Sequence, residues 1–462
     1  MAAAYTSITK VPSARRPLPC SQSYANTSRS FFPSEGIDLA ARSSGAFQRI
    51  RNLTPLNFVT TFAFWKADSI SLQSLAAEIT TQTGRQVSAQ AIAEKLAKPE
   101  TEIMFQTLVR LALDRAARID AALTTVTIPG VNKILVADSS QIALNDKLAD
   151  ELPGTGNTKP NASLKVHATF SLTDKQFVHI SLSEGTMSDH SAKEDHRVLM
   201  KEGDLILRDL GYFDIDDLRV LGESGRYFVS RIPLSLTVFA DEQGCKIDLW
   251  GELSQFSGYQ IDRRLSIGSQ AFQTRVVAVR LPKEDGKKRL AEAEKEKGRP
   301  LTPSERAQAK WNLYITNLAI EQASCATIRL LAAARWQVEL IFKSLKSGLG
   351  IDRLKAASTA SVVRNYVWGK LLGAALLLAA RNIIEARAPR HLSFIRWIGR
   401  VADAFCDIRR LFVTKQFLAL ARLLERVALK HCLTEKHSKP RTEEKLNESI
   451  DLDKGRQMAP KA

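Results

Sequence analysis

Three carboxylates and a row of cations carry the chemistry open to this sequence. Asp138 follows the apolar run 133–137 (KILVA), and Asp209 follows Asp-Leu-Ile-Leu-Arg at 204–208, so each acid falls at the C-terminal end of a short predicted strand. In open α/β sheets, ligands bind beyond the carboxyl ends of strands. Two acids placed there can share a hard cation such as Mg²⁺, which takes oxygen ligands. A lone Asp at a strand end is more often a turn former or a helix cap. Glu339 is set differently. In a helix over 332–346, Val338, Ile341, Phe342 and Leu345 make one apolar face, while Arg335, Glu339, Lys343 and Lys346 make a separate polar stripe. One acid in a row of bases reads as a surface ladder of ion pairs, each worth about 0.3–0.5 kcal/mol. It reads equally as a metal-binding carboxylate flanked by phosphate-binding cations. Phosphoryl transfer on DNA needs both kinds of group: metal for the attacking and leaving oxygens, cations for the backbone.

The rest of the chain must position these groups. It has 462 residues, with 66 Lys and Arg against 49 Asp and Glu, a net charge of +17 and a pI near 9.7. That surplus points to a polyanionic partner such as nucleic acid. At roughly 100–200 residues per domain, the length predicts two to four domains. Ordinary fractions of apolar and charged residues exclude wholesale disorder. The cysteines at 20, 245, 325, 406 and 432 form no CxxC pair, which excludes a zinc ribbon or a disulfide framework and fits reduced thiols in a cytosol. No Ser-His-Asp order and no phosphate-binding glycine loop is present. Residues 1–16 lack the apolar run of a signal peptide. The most apolar stretch, 371–380, is closed by Lys370 and Arg381 and is too short to span a bilayer, so it reads as a buried helix.

Along the chain, residues 1–36 are rich in Ser, Pro and Arg and read as a flexible arm. From 37 to 125 the pattern is helical. Leu72, Leu75, Ala76 and Ile79 recur at helical spacing, Gly84 breaks the run, and Ser88 N-caps a second helix carrying Ile92 and Leu96 before Pro99. This is the outline of a helix-turn-helix or of an ordinary helical hairpin. Residues 126–231 alternate strands (164–172, 177–182, 226–230) with helices (191–200, 215–221), as in an α/β layer. The segment 232–310 combines short β-prone runs with a Lys/Glu-rich stretch that reads as a solvated helix or linker. Residues 318–346 and 361–387 are helical, and 433–462 form a charged, disordered tail. Lys165 and His167 lie in a predicted strand (SLKVHATF) as sheet-face residues, and His190 and His196 flank a helix start.

Asp138 in VADSS, Asp209 in RDLGYF and Glu339 in RWQVELIFKSLKSGL resemble the DDE triad of insertion-sequence transposases, and more narrowly the insertion-sequence-four family. In that family a β-rich insertion separates the second Asp from the Glu. The gaps here are 71 and 130 residues. The family signature around the Glu is Tyr, two residues, Arg, three residues, Glu, six residues, Lys. Arg335, Glu339 and Lys346 match it, and Ala332 stands where the family has Tyr. The segment from Trp311 (WNLYITNL) is also similar to the family's stretch upstream of the Glu. The resemblance spans about 45–354.

The resemblance implies an α/β fold: an RNase H-like mixed-sheet core with a β-rich insertion, plus helical N-terminal and C-terminal regions. The regions are then a flexible arm (1–36), a helical DNA-end-binding domain (37–125), the first part of the core (126–231), the insertion and charged linker (232–310), the second part with the Glu helix (311–356), a helical region with a candidate dimer interface (357–432) and the tail (433–462). It also implies cleavage at element ends and strand transfer into target DNA, by a cytoplasmic, DNA-associated homodimer in a synaptic complex, with no membrane partner. Asp138, Asp209 and Glu339 would hold two Mg²⁺ or Mn²⁺ ions, spaced roughly 3.5–4 Å in such sites. Arg335, Lys343 and Lys346 would contact phosphates, with Lys165 a further DNA-contact candidate. Trp311 would stack on a flipped base. It is equally a core residue by type, since Trp is highly buried on average. Two other readings fit the same residues. One is a catalytically inactive DNA-binding relative that inhibits transposition, which Ala332 favours. The other is a metal-dependent DNA nuclease on the same core.

Overall fold

The structure, a computed structural model, describes residues 34–65, 71–118, 126–156, 160–189, 197–233, 236–354, 359–435 and 441–458. Most of the N-terminal arm, His190 and His196, and the start of the expected helix at 191–200 lie outside these residues.

One ten-stranded sheet organises the chain. Its strands are β1 (Ile134–Ala143), β2 (Ser163–Ser171), β3 (Gln176–Glu184), β4 (Leu205–Arg208), β5 (Tyr227–Arg231), β6 (Phe239–Ala240), β7 (Lys246–Ile247), β8 (Gln260–Ile267), β9 (Phe272–Arg280) and β10 (Trp311–Thr316), in spatial order 3-2-1-4-5-10-9-8-6-7. The first five make an RNase H-like unit: β1 to β3 form an antiparallel meander, and β4 and β5 lie parallel to β1. Apolar runs such as Ile134–Leu135–Val136 suit strands covered on both faces, and all three are buried. The insertion is no separate module. β10 pairs with β5 antiparallel, and β9, β8, β6 and β7 continue the same sheet outward.

Three further expectations are corrected. β1 does not stop at Asp138. It runs on to Ala143 against β2, because the Ser-Ser-Gln stretch beyond Asp138 pairs on one side only and stays half exposed, without an apolar signature. Residues 318–346 are not one helix. Ser324 caps a helix over Cys325–Ala334, Arg335 marks a break, a second helix spans Trp336–Ser344, and a wide π turn follows at Leu345–Leu349. The tail is not wholly loose, since Thr442–Met458 is a helix that buries Leu446 and Ile450 one turn apart.

The remaining helices, numbered in chain order with those just given, are α1 (Ser34–Ser43), α2 (Pro55–Ala63), α3 (Leu72–Thr83), α4 (Ala89–Leu96), α5 (Pro99–Ala116), α6 (Ile215–Glu223), α7 (Leu249–Gln255), α8 (Lys283–Lys297), α9 (Pro303–Lys310), α10 and α11 (the pair around Arg335), α12 (Ala360–Glu385), α13 (Phe394–Ala402), α14 (Phe405–Val413), α15 (Phe417–Val427) and α16 (Thr442–Met458). Gly84 closes α3 in a left-handed conformation and Ser88 caps α4, as the spacing predicts. α12 is long and apolar enough to cross a membrane, but 89% of its most apolar window is buried within the protein. A Cβ at Gly373 would meet the Ala63 carbonyl oxygen at 2.1 Å, so glycine lets α12 press against α2. The N-terminal and C-terminal helical regions therefore share one core, and α12, read as part of a candidate dimer interface, is internal.

Candidate active site

Strand pairing alone brings two of the acids together. The parallel register matches Val136 with Leu207. Carried two residues further, it sets Asp138 level with Asp209. Asp209 opens a short turn (Leu210–Tyr212) without using its side chain as a cap, so the turn-former reading does not account for its carboxylate. Beside it Arg208 is buried and paired with Asp217 of α6, which fixes the end of β4. α11 packs on the face of β1 that carries Val136 and Asp138, burying Val338, Ile341, Phe342 and Leu345 as expected.

Arg335 sits at the meeting point. Its guanidinium lies 2.7 Å from Glu339, 3.5 Å from Asp138 and 3.6 Å from Asp209. Three acids far apart in sequence thus converge on one positive charge. Burial raises the Asp138 carboxyl to about 6, against the pull of Arg335, and Glu339 and Asp209 push in the same direction as burial. Among the described residues, no group of three or more His, Cys, Asp or Glu side chains is drawn close enough to form a ready metal cluster. The donor set nonetheless suits a hard divalent cation: it is all carboxylate, and it already gathers around a cation, here a guanidinium.

A bracket ties the two Asp segments together. Ser139 donates to Asp189 Oδ1 at 2.7 Å, and Lys165 donates to the same oxygen at 3.3 Å and to the Met187 carbonyl at 2.6 Å. The Tyr212 hydroxyl is buried near these groups, and burial together with the Asp189 and Asp138 charges pushes it far above the usual phenol range. A Cβ at Gly211 would come within 3.1 Å of Asp189 Oδ2, so the Gly-Tyr of the Asp209 phrase is what lets that loop close on Asp189. Sequence reasoning missed Ser139, Asp189 and Tyr212 as a unit. Only the Asp-Leu-Gly-Tyr phrase signalled it.

The other expected DNA contacts divide. Lys343 is exposed, 5.5 Å from the centroid of the Trp336 ring. Lys346 donates to the Gln141 carbonyl at 2.8 Å, and burial lowers its pKa, so it ties the π turn to β1. Lys165 is engaged with Asp189. Trp311 is only 2% exposed, packed with Leu135 and Ala137 on the sheet face away from the acids, beside Phe256 and under Arg280, so its ring is not offered to a base. The exposed tryptophan beside the acids is Trp336, at 49%. Ala332 is partly buried against the main core. In the helix-turn-helix outline, Lys95 is the one cation of α4. It donates to the Ala46 carbonyl at 2.7 Å and lies over the Phe47 ring.

The helix before the Glu helix, α10, is held at its start from both sides. On β9, Arg275 pairs with Asp262 at 2.7 Å and donates to the Leu318 and Ala323 carbonyls just before α10. On α16, the buried Asp453 accepts from the Ser324 amide at 2.9 Å and from the Thr327 hydroxyl at 2.7 Å.

An RNase H-like sheet with one acid midway along β1, a second just past the end of β4 and a third on a facing helix is the architecture of enzymes that cut and join nucleic acid strands. Residues 129–372 match the transposase DDE domain family. The chain is 25% identical to the transposase for insertion sequence element IS231C of Bacillus thuringiensis subsp. berliner, over 79% of this chain and 82% of the relative. It is 23% identical to the transposase for insertion sequence element IS1151 of Clostridium perfringens, over 80% of this chain and 83% of the relative. The chain belongs to the DDE transposase family, whose members are enzymes acting on DNA.

Proposed function

We propose that this protein cuts DNA at the ends of its insertion sequence and joins those ends to target DNA, with Asp138, Asp209 and Glu339 as the metal-holding acids. The observation that carries this reading is the convergence of all three on Arg335. Two divalent ions, Mg²⁺ or Mn²⁺, would supply Lewis-acid activation of the attacking oxygen and stabilise the leaving oxygen. The chain's own groups do the rest. Asp138 and Asp209 are held level by strand register, and Asp189, bonded to Ser139 and packed against Gly211, keeps their backbones from spreading. Arg335 neutralises the acids while they stand without an ion, and Lys343 and the exposed Trp336 ring offer charge and stacking surface to a strand crossing the site. Two ends must be brought together, so the working form is a homodimer on DNA, with the helical N-terminal region contributing to end binding.

Asp138→Ala, Asp209→Ala and Glu339→Ala should each abolish cutting of an end duplex while binding survives. An unchanged cutting rate in Glu339→Ala would remove Glu339 from the triad. The nuclease reading predicts cut ends without joined target, so assaying for joined product separates it from transposition. The inhibitor reading predicts no Mn²⁺-dependent nicking by the wild-type chain.

A further inference from the structure

A cleft of about 780 Å³ lies between the helical hairpin α8–α9 and the start of β10. It is lined by Arg280, Lys283, Lys287, Arg306 and Lys310 around the edge of Trp311. No Asp or Glu lines it. That asymmetry is the point, because the hairpin carries both signs: α8 alone holds Glu284, Asp285, Glu292, Glu294 and Glu296, and none of them reaches the cleft. Glu305 of α9 is engaged by Lys297 and by Arg299 at 2.8 Å. A solvated helical face of mixed sign would not sort its charges in this way. Arg280 is anchored over the Trp311 ring by the Phe256 and Ser257 carbonyls, while Lys283, Lys287, Arg306 and Lys310 are exposed. The Lys287–Glu284 pair on the surface, at 3.1 Å, is of the kind that contributes little.

Sheet register locates the cleft relative to the acids. Arg208 pairs with Ser230, and Arg231 pairs with Tyr314, so Asp209, Arg231 and Tyr314 stand at one level. Trp311 lies three residues beyond that level. At about 4.8 Å between strands, β10 is roughly 14 Å across the sheet from Asp138. The cleft therefore opens at the same end of the sheet as the acids. It lies on the other face of the sheet, since Trp311 packs with Leu135, Ala137 and Ile206, while Val136 and Val338 pack on the face of the acids. Arg289 donates to Asn312 at 3.0 Å, and burial together with Arg231 lowers its pKa.

We propose that this cleft is a second DNA-backbone site, in which Lys283, Lys287, Arg306 and Lys310 hold phosphates of the strand that leads into the acid site. A compact ammonium on a flexible stem suits phosphate as a point charge, and each phosphate neutralised adds about 0.9 to the salt dependence of duplex binding. The inference rests on the transposase reading and adds to it a place where the strand is held away from the chemistry.

The test measures binding of full-length protein to a duplex from the inverted repeat bordering its reading frame, at several salt concentrations, alongside cutting of the same duplex. Lys283→Ala/Arg306→Ala should lower the slope of log affinity against log salt by roughly 2, and affinity by about tenfold. Lys288→Ala/Lys295→Ala removes as much hairpin charge outside the cleft and should leave both nearly unchanged. Equal slopes for the two double variants, in protein that still cuts, would overturn the cleft and leave the transposase reading standing. A cleft variant with the lower slope, beside a wild type that binds and never cuts, would support the cleft and overturn the transposase reading.

Discussion

The two halves of the sheet solve opposite electrostatic problems. In β1 to β5, parallel pairing stacks strand ends in register and so crowds Asp138 against Asp209, with Glu339 brought down from α11. The crowding is tolerated because Arg335 sits among them. In β10 to β7, antiparallel pairing runs outward as a meander, and the cleft under the hairpin between β9 and β10 is lined by cations and by no acid. One half concentrates negative charge and holds its own counter-cation. The other gathers cations in a cleft that no acid lines. The uncompensated half is therefore the one that expects a polyanion, and the compensated half is the one that expects a small cation to take over from a side chain.

The sharpest way to break the contrast is to remove an acid. Asp138→Ala, Asp209→Ala or Glu339→Ala should each reduce end cutting on the order of 1,000-fold or more, with duplex affinity held within about threefold. Parallel loss of binding would mean that the acids shape the fold rather than the reaction. Next in size is the pH dependence of stability. The Asp138 carboxyl stands at about 6 in the folded chain against an ordinary 3.8. The native state thus keeps this proton after the unfolded chain has released it. The associated stability is complete below about pH 4 and is lost as pH rises through 6. Without divalent ions, Asp138→Asn should gain on wild type across that window by about 2–3 kcal/mol, read by urea unfolding at pH 4 and pH 7. A gap that does not change with pH would deny the crowding.

Arg335→Ala should lower the stability of the ion-free protein by about 1–3 kcal/mol, because three acids then face one another without their counter-cation. Added Mn²⁺ should restore part of it. An ion that stabilises wild type more than the variant would show that Arg335 does not compete for the same place. The smallest effect belongs to the C-terminal helix. Asp453→Ala removes the acceptor at the head of α10 and should lower Tm by an amount corresponding to about 1–2 kcal/mol, with end cutting reduced by less than tenfold.

The acids were legible because short apolar runs ended at or near them, and because Arg335, Glu339 and Lys346 share a helical stripe. α3 and α4 were legible through Gly84 and Ser88, residues whose chemistry punctuates a chain locally. What stayed hidden was built from long-range pairing. The polar half of β1 looks like a loop until β2 is set beside it. β8 (QIDRRLSI) carries Asp262, Arg263 and Arg264 in succession and lacks an apolar run, yet it pairs along its whole length with β9. α16 buries Leu446 and Ile450 in a stretch otherwise charged, too sparse a pattern to outweigh its composition. Asp189 carried no signal at all, since its partners Ser139 and Lys165 lie on other strands. The tryptophans show the same limit. The family resemblance marked Trp311, but burial, which only the fold determines, makes Trp336 the exposed ring.

The seam between β5 and β10 is three residue pairs long and made of main-chain hydrogen bonds. Among the described residues, this ladder joins the part that would grip a strand to the part that would sever it. A phosphate seated under the hairpin would then be indexed to the scissile position with the stiffness of a β-ladder, a built-in ruler that would keep its place when loops elsewhere in the insertion lengthen or shrink.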